Sequence, residues 1–201
     1  MSCDAPPPRT AVVERATAET RIELALALDG TGRAQIDTGI GFLDHLLTAL
    51  AKHARFDVEL RCEGDLEVDD HHTVEDVALA LGRALDQAIG ERRGIRRFAH
   101  AYAPLDEALA RCVVDLSGRP APVVDLGLAR ETLGQLACEN ITHAFVSLAM
   151  AGRMALHVDV LKGANDHHRA EAAMKATALA LRQAVARDGG DDVPSTKGVL
   201  L

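Results

Sequence analysis

Two pseudo-symmetric α+β halves, each a small mostly antiparallel sheet with two helices on one face, are what this sequence predicts. Three observations carry that expectation. Segments that alternate polar with apolar residues are interleaved with segments whose apolar residues recur at helical spacing. The order of those segments is run through twice. A distinctive pentapeptide, HHTVE at 71–75, returns as HHRAE at 167–171.

Taken in order, the first ten residues, MSCDAPPPRT, hold three successive prolines that lack N–H donors, so residues 1–11 read as a disordered lead with order starting near Val12. RIELALAL (21–28) alternates and predicts a half-buried strand, closed by the turn Asp29-Gly30-Thr31-Gly32. FLDHLLTALAKHA follows Gly39-Ile40-Gly41 with Phe42, Leu46 and Leu50 at helical spacing. Residues 58–62 alternate again. After an acidic loop at 64–70, a second helix is expected over 71–89, with Thr73 and the Asp69-Asp70 pair as capping oxygens.

The second pass has a strand at 112–116 and a turn at 117–120. It continues with a helix at 138–150, a strand at 154–161 and a long alanine-rich helix at 167–187. Sliding the chain by 98 residues puts His45 on His143, Leu50 on Leu148 and Arg55 on Arg153. After a two-residue gap, His71, His72 and Glu75 fall on His167, His168 and Glu171. An internal repeat of this kind constrains the fold more than any single element. The halves are therefore placed at 12–94 and 95–187, followed by a tail at 188–201.

Composition excludes some function classes. Hydrophobic residues make up 48% and charged residues 26% of the 201 positions, the balance of a globular protein. Aromatics are only 2%, which argues against a surface that stacks bases. A net charge of −8 argues against a general binder of nucleic-acid backbones, but leaves room for a local phosphate pocket. Cys3, Cys62, Cys112 and Cys138 form no C-x-x-C pair and read as free thiols in a reducing compartment. With no secretory signal and no long apolar run, a cytoplasmic protein is the expectation.

The chemistry is concentrated in the repeated pentapeptide. On a helix, residues three and four apart share a face, so His71 or His72 can close a chelate with Glu75. Adjacent residues differ by about 100° around the axis, so His71 and His72 cannot easily grip one ion together. Adding His45 and His143 gives six imidazoles and two carboxylates. Divided evenly, these make two sites of three nitrogens and one oxygen. Four such ligands would close a tetrahedral zinc site, whereas a six-coordinate ion such as manganese would keep two positions open for substrate. A lone buried histidine is usually structural, but two copies at matching positions point to metal. His53, His100 and His157 have no partner in the repeat and read as ordinary surface or strand histidines. Asp69, Asp70 and Asp166 stand beside the ligands and could orient their rings or cap their helices.

These same residues carry a resemblance. FLDH (42–45), EGDLEVDDHHTVEDVALALG (63–82), LDEALARCVVDLSGRP (105–120), NDHHRAEAAMKA (165–176) and PSTKGVL (194–200) closely resemble the imidazoleglycerol-phosphate dehydratases of histidine biosynthesis. The resemblance implies a duplicated split-βαβ-type unit and a hydro-lyase that dehydrates D-erythro-imidazole-glycerol phosphate to imidazole-acetol phosphate. It implies two manganese ions per active site, and a homo-oligomer of 24 subunits with sites at subunit interfaces. The metal ligands it implies are His45, His71, His72, Glu75, His143, His167, His168 and Glu171. Glu19 matches an acid at the reacting carbons. Arg97, Arg119, Ser195 and Lys197 match positions that hold the substrate phosphate, as the forked guanidinium, the hydroxyl and the ammonium suit. Ala49, Thr142, Ala144, Ala172 and Met174 depart from many relatives, and none is an expected ligand.

The implied reaction poses a chemical problem, because the hydrogen to be lost is not beside a carbonyl. The substrate's own ring must supply electrons. Metal at both ring nitrogens would let the ring become imidazolate and expel the neighbouring hydroxyl, after which a base takes the acidified C–H proton. Glu19 is the expected proton-transfer group, with one ion contributed by each half. Two other classes share parts of this inventory: a metal-dependent phosphohydrolase, and a non-catalytic assembly protein stapled by metal.

Overall fold

The computed structural model describes residues 8–198 and 200. The cysteine-and-proline part of the lead (1–7) and Val199 and Leu201 of the tail lie outside the described residues. In the first half, β1 (Thr10–Ala16), β2 (Thr20–Ala27), β3 (Ala34–Asp37) and β4 (Asp57–Gly64) form one sheet in the order β1-β2-β4-β3. The pairs β1–β2 and β2–β4 are antiparallel, and β3 runs parallel to β4. Helices α1 (Gly41–Ala54) and α2 (His71–Ile89) complete the half. In the second half, β5 (Phe98–Leu105), β6 (Ala108–Asp115), β7 (Ala121–Asp125) and β10 (Ala155–Lys162) form a sheet of order β5-β6-β10-β7, again with one parallel pair, β10–β7. A short hairpin of β8 (Thr132–Leu133) and β9 (Leu136–Ala137) precedes α3 (Cys138–Ala151), and α4 (Asp166–Ala184) follows β10.

The expected pseudo-symmetric α+β architecture is therefore what forms, and the reason is visible in the strands. In β2, Thr20, Ile22, Leu24 and Leu26 are buried while Arg21 and Glu23 face outward. In β4, Val58, Leu60 and Cys62 are buried while Glu59, Arg61 and Glu63 are not. A sheet with one apolar face must cover it, and the two sheets turn their covered faces toward each other. α2 packs on β1 and β2 and against α3 of the other half, and α4 packs on β5 and β6 and against α1. The helix contacts thus cross between halves.

Small side chains allow the layers to approach. Ala170, Ala173, Ala176, Ala180 and Ala184 line α4, facing a sheet in which Ala101, Ala103, Ala108 and Ala110 are also buried. The scarcity of aromatics is thereby explained: the core is built from aliphatic residues at close range. Cys62, Cys112 and Cys138 are free and buried, and burial pushes the thiols of Cys62 and Cys112 up to about 11 and about 12.

Several boundaries differ from the sequence reading. β1 starts at Thr10, two residues before Val12, because Thr10 pairs with Ala27 and the Leu28 N–H donates to the carbonyl of Arg9. α4 ends at Ala184 rather than 187, because Arg97 N–H takes the Ala184 carbonyl and Arg96 N–H that of Ala186. Thr73 does not cap α2: its hydroxyl is buried without a partner, beside the Cα of Gly64. The tail is tied down, with Gly94 N–H donating to Asp192 and Asp188 N–H to Gly94. Among the described residues, no helix is long and apolar enough to cross a membrane.

Gly82 shows how tightly α2 meets α3. A Cβ there would lie 2.6 Å from the Leu148 carbonyl oxygen and 2.8 Å from the Ala151 Cβ. Alanine normally gains about 1 kcal/mol over glycine inside a helix, but overpacking costs about 1–3 kcal/mol. Gly82→Ala is accordingly expected to destabilise the metal-free protein and lower its Tm by a few degrees. Thermal unfolding followed by circular dichroism checks this; an unchanged or raised Tm contradicts the close packing.

Candidate metal centre

The N-terminal turn of α2 presents His71 and Glu75 on one face. His71 Nε2 lies 3.7 Å from Glu75 Oε2. The third member comes from the other half: His143 on α3 places Nε2 3.3 Å from Glu75 Oε1, and its ring stacks on that of His71 at 5.0 Å. The mirror arrangement stands at α4. His167 Nε2 is 3.3 Å and His45 Nε2 2.9 Å from Glu171 Oε2. Phe42 packs against both His45 and His167. In each trio one ligand atom per residue lies within 4.8 Å of the others. Imidazole nitrogen with carboxylate oxygen suits a divalent first-row cation and no soft thiolate metal.

Six of the eight expected ligands are thereby brought together, and of the two histidines that the sequence allowed beside each glutamate it is the first of the pair that stands there. His72 and His168 do not join either trio. Their rings stand nearly perpendicular to those of His71 and His167, with centroids 6.1 and 5.9 Å apart. Within one chain the sets hold two nitrogens and one oxygen, so the third nitrogen expected of each is not supplied by the same chain. One expectation is corrected: neither set belongs to one half, because the helix contacts α2–α3 and α1–α4 build each from both.

His72 and His168 look instead toward the two hairpin turns. Glu19, in the β1–β2 turn, has Oε1 3.6 Å from His72 Nε2. Asp106, in the β5–β6 turn, has Oδ2 3.7 Å from His168 Nε2. The Nδ1 atoms face Asp65 at 3.0 Å and Glu107 at 2.7 Å. Hydrogen bonds to these carboxylates raise both imidazole pKa values. The His168 ring and the backbone N–H groups of Asn165 and Ala164 in turn hold Glu107 down to about 2.

The two trios are not equal. Burial pushes the Glu171 carboxyl up, but the Lys175 ammonium, 2.7 Å from Oε1, and the His45 ring overcome it and hold the group down to about 2. The position matching Lys175 in the first half is Leu79, and Glu75 is the more exposed carboxylate, at 38% against 13%.

Of the acids expected to orient the rings or cap the helices, Asp69 caps, and none accepts directly from a ring. Asp69 Oδ1 accepts the His71 N–H, a capping bond. Asp70 accepts the Ala137 N–H and the Asn140 amide, and reaches His71 only through Asn140 Oδ1, which lies 3.0 Å from His71 Nδ1. Asp166, 3% exposed, accepts the N–H groups of Ala129 and Arg130. Asp65, Glu107, Asp106, Asn140 and Lys175 were all missed. Lys175 was findable four residues past Glu171 on the same helix face, and Asn140 three residues before His143. Asp106 and Glu107 occupy the hairpin turn that matches the turn holding Glu19.

The residues expected to hold the substrate phosphate stand far from the trios. Arg97 donates through Nε and Nη2 to Asp115 at 2.7 and 3.0 Å, and through Nη1 to the Pro194 carbonyl at 2.7 Å. That brings the tail beside it, where Lys197 N–H donates to Ser195 Oγ. Arg119 is exposed four residues beyond Asp115. Because Arg97 N–H bonds the last residue of α4, it lies about 25 Å from His167 at the first turn of that helix. Gly94, between α2 and Arg97, bonds the tail as well, so the far end of α2 is on the same side.

Asp166→Ala leaves two loop N–H groups without an acceptor, and is expected to cost about 1–3 kcal/mol of stability while leaving metal bound per folded chain unchanged. Chemical denaturation with metal analysis of the folded fraction checks this. Lost metal at unchanged stability would return Asp166 to the role of ring orienter.

Comparison with known proteins converges on one family. Residues 38–181 match the imidazoleglycerol-phosphate dehydratase family. The chain is 58% identical over 192 residues to the imidazoleglycerol-phosphate dehydratase of Phytophthora nicotianae, covering 96% of this chain and 42% of that longer protein. It is 54% identical over 208 residues to that of Candida glabrata, covering 94% of this chain and 99% of the relative. A crystal structure of the dehydratase from Pyrococcus furiosus superposes with a TM-score of 0.80 at 34% identity, covering 94% of this chain and all of that one. In fold, in length and across most of its sequence, the chain therefore belongs to the imidazoleglycerol-phosphate dehydratase family, lyases of histidine biosynthesis.

Proposed function

We propose that this chain dehydrates D-erythro-imidazole-glycerol phosphate to imidazole-acetol phosphate in the cytoplasm, with two manganese ions in each site, and that the sites form between copies of the chain in a 24-subunit shell. The observation that carries the reading is the pair of His-His-Glu trios, with the second histidine of each His-His pair turned out of its own chain's trio, its ring nearly perpendicular to the first. Three donors from one chain leave positions for a ligand from elsewhere and for substrate. Bound cations would supply the positive charge that favours the substrate ring as its anion, the electron source that expels the hydroxyl.

The chain's own residues divide the remaining work. Glu19, half exposed and 3.6 Å from His72, would move a proton at the substrate carbons. Its backbone is held by the Asp65 N–H, so the acid sits on a fixed turn. Arg97, anchored bidentately by Asp115, is oriented before any phosphate arrives, and Arg119, Ser195 and Lys197 add a fork, a hydroxyl and an ammonium. A phosphate on a three-carbon side chain cannot reach across about 25 Å. A substrate whose ring lies at one chain's trio must take its phosphate contacts from another chain, which supports sites shared between subunits.

Glu19→Gln keeps the side chain's size and removes its proton chemistry. It is expected to retain Mn2+ per chain by elemental analysis and to lose about 10²–10⁴-fold in kcat. Full turnover in that variant rejects the assignment. Exhaustive chelation is expected to abolish formation of the keto product and added Mn2+ to restore it; activity indifferent to chelation rejects the metal reading.

A further inference from the structure

The second histidines of the two pairs, His72 and His168, are each held by a carboxylate, but not by matching ones. Asp65 follows Gly64 at the end of β4 and sets Oδ2 and Oδ1 3.0 and 3.2 Å from His72 Nδ1. Aligning β4 with β10, 98 residues on, its repeat counterpart is Gly163, which carries no acid. The second half takes its acid from elsewhere: Glu107, in the β5–β6 turn, sets Oε2 2.7 Å from His168 Nδ1. The same geometry at the ring is thus reached from two unrelated places in the fold.

Asp65 is held through its backbone and Glu107 through its carboxylate. The Asp65 N–H donates to the Glu19 carbonyl at 3.1 Å, and the Asp65 main-chain carbonyl accepts the Val68 N–H at 2.8 Å. Glu107 uses Oε1 to accept the N–H groups of Ala164 and Asn165 at 3.1 and 2.9 Å, which pins the hairpin turn to the start of α4. An ionised carboxylate only accepts, so the ring nitrogen facing it must carry hydrogen. That leaves the electron pair of the neutral ring on Nε2. Free histidine favours the opposite tautomer, and an exposed imidazole is free to turn over about its Cβ–Cγ bond; the carboxylate removes both freedoms.

We propose that Asp65 and Glu107 are positioning residues, which fix His72 and His168 as Nε2 electron-pair donors directed away from their own chain's trios and toward a metal completed by a neighbouring copy. This rests on the metal reading above and adds to it the residues that select tautomer and direction. Glu107→Gln is the more telling variant. Its oxygen can still accept the Ala164 and Asn165 N–H groups, so the NH2 turns to His168 Nδ1 and demands the wrong tautomer. Asp65→Ala removes the acceptor from His72.

The test combines calorimetric titration of metal-free protein with Mn2+ and imidazole 15N NMR at a pH where the rings are neutral. Wild type is expected to show Nδ1–H at His72 and His168. Both variants are expected to bind Mn2+ about 10–100-fold more weakly with unchanged far-ultraviolet circular dichroism. Wild-type rings protonated at Nε2, or variants within about twofold of wild-type affinity, overturn the proposal. The wild-type tautomer decides the matter even where a variant fails to fold. A wild type that binds no Mn2+ sinks the metal reading, and the ligand role with it. A metal-binding wild type with indifferent variants sinks this proposal alone.

Discussion

The contact between helices from opposite halves is what the candidate centre depends on. Each trio needs a chelating pair one helical turn apart, which sequence spacing supplies, and a third ligand, which only packing supplies. His143 reaches Glu75 because α3 lies on α2, and His45 reaches Glu171 because α1 lies on α4. Close approach at these crossings is made possible by residues without bulk: Gly82 where α2 meets the end of α3, and the alanine rows that seat α4 on its sheet. Core packing and ligand geometry are therefore the same constraint seen from two sides. Neither half could assemble a trio alone.

Symmetry of backbone does not carry through to symmetry of chemistry. The strand orders of the two sheets match and Arg55 and Arg153 both take the left-handed conformation after their helices. Yet Glu171 carries a lysine partner and Glu75 does not, and the acid in the first hairpin turn is one glutamate where the second has Asp106 and Glu107 side by side. Two trios with different charge balance will differ in affinity for a cation, because an ammonium beside one carboxylate competes for its lone pairs. The pseudo-twofold arrangement sets where the candidate ligands stand, and individual side chains would set how strongly each trio binds a cation.

Much of this was legible from the sequence. The helices α1, α2 and α3 fall within a residue or two of their expected bounds, since their apolar residues keep a helical period over fourteen or more positions. The strands β3, β5 and β7 were not drawn out individually: AQID is too short to show a period, FAHAYAPL is rich in alanine, and APVVD has a proline on an edge strand. The chelating pairs were legible because they are local. The orienting groups were not. Adjacency in sequence pointed to Asp69, Asp70 and Asp166, but a residue one or two positions before a helical histidine points to the helix's free N–H groups or to a neighbouring loop. The acids that reach the rings come from seven residues upstream of His72 and from 61 residues upstream of His168, in the β5–β6 turn, and such distances have no periodicity to reveal them.

The separation of the phosphate set from both trios bears on why a chain of this kind would assemble at all. The fold places cation ligands at the first turns of α2 and α4, where backbone N–H groups point outward, and places Arg97, Arg119 and the tail at the far ends of the same helices. A helix of nineteen residues is a rigid spacer of about 28 Å, so no motion short of unfolding brings the two sets of one chain onto one small molecule. On the proposed reading, copies must meet with the start of one chain's helices against the end of another's. The turning of His72 and His168 out of their own trios then has the same logic as the distance of Arg97: each would serve another chain's site.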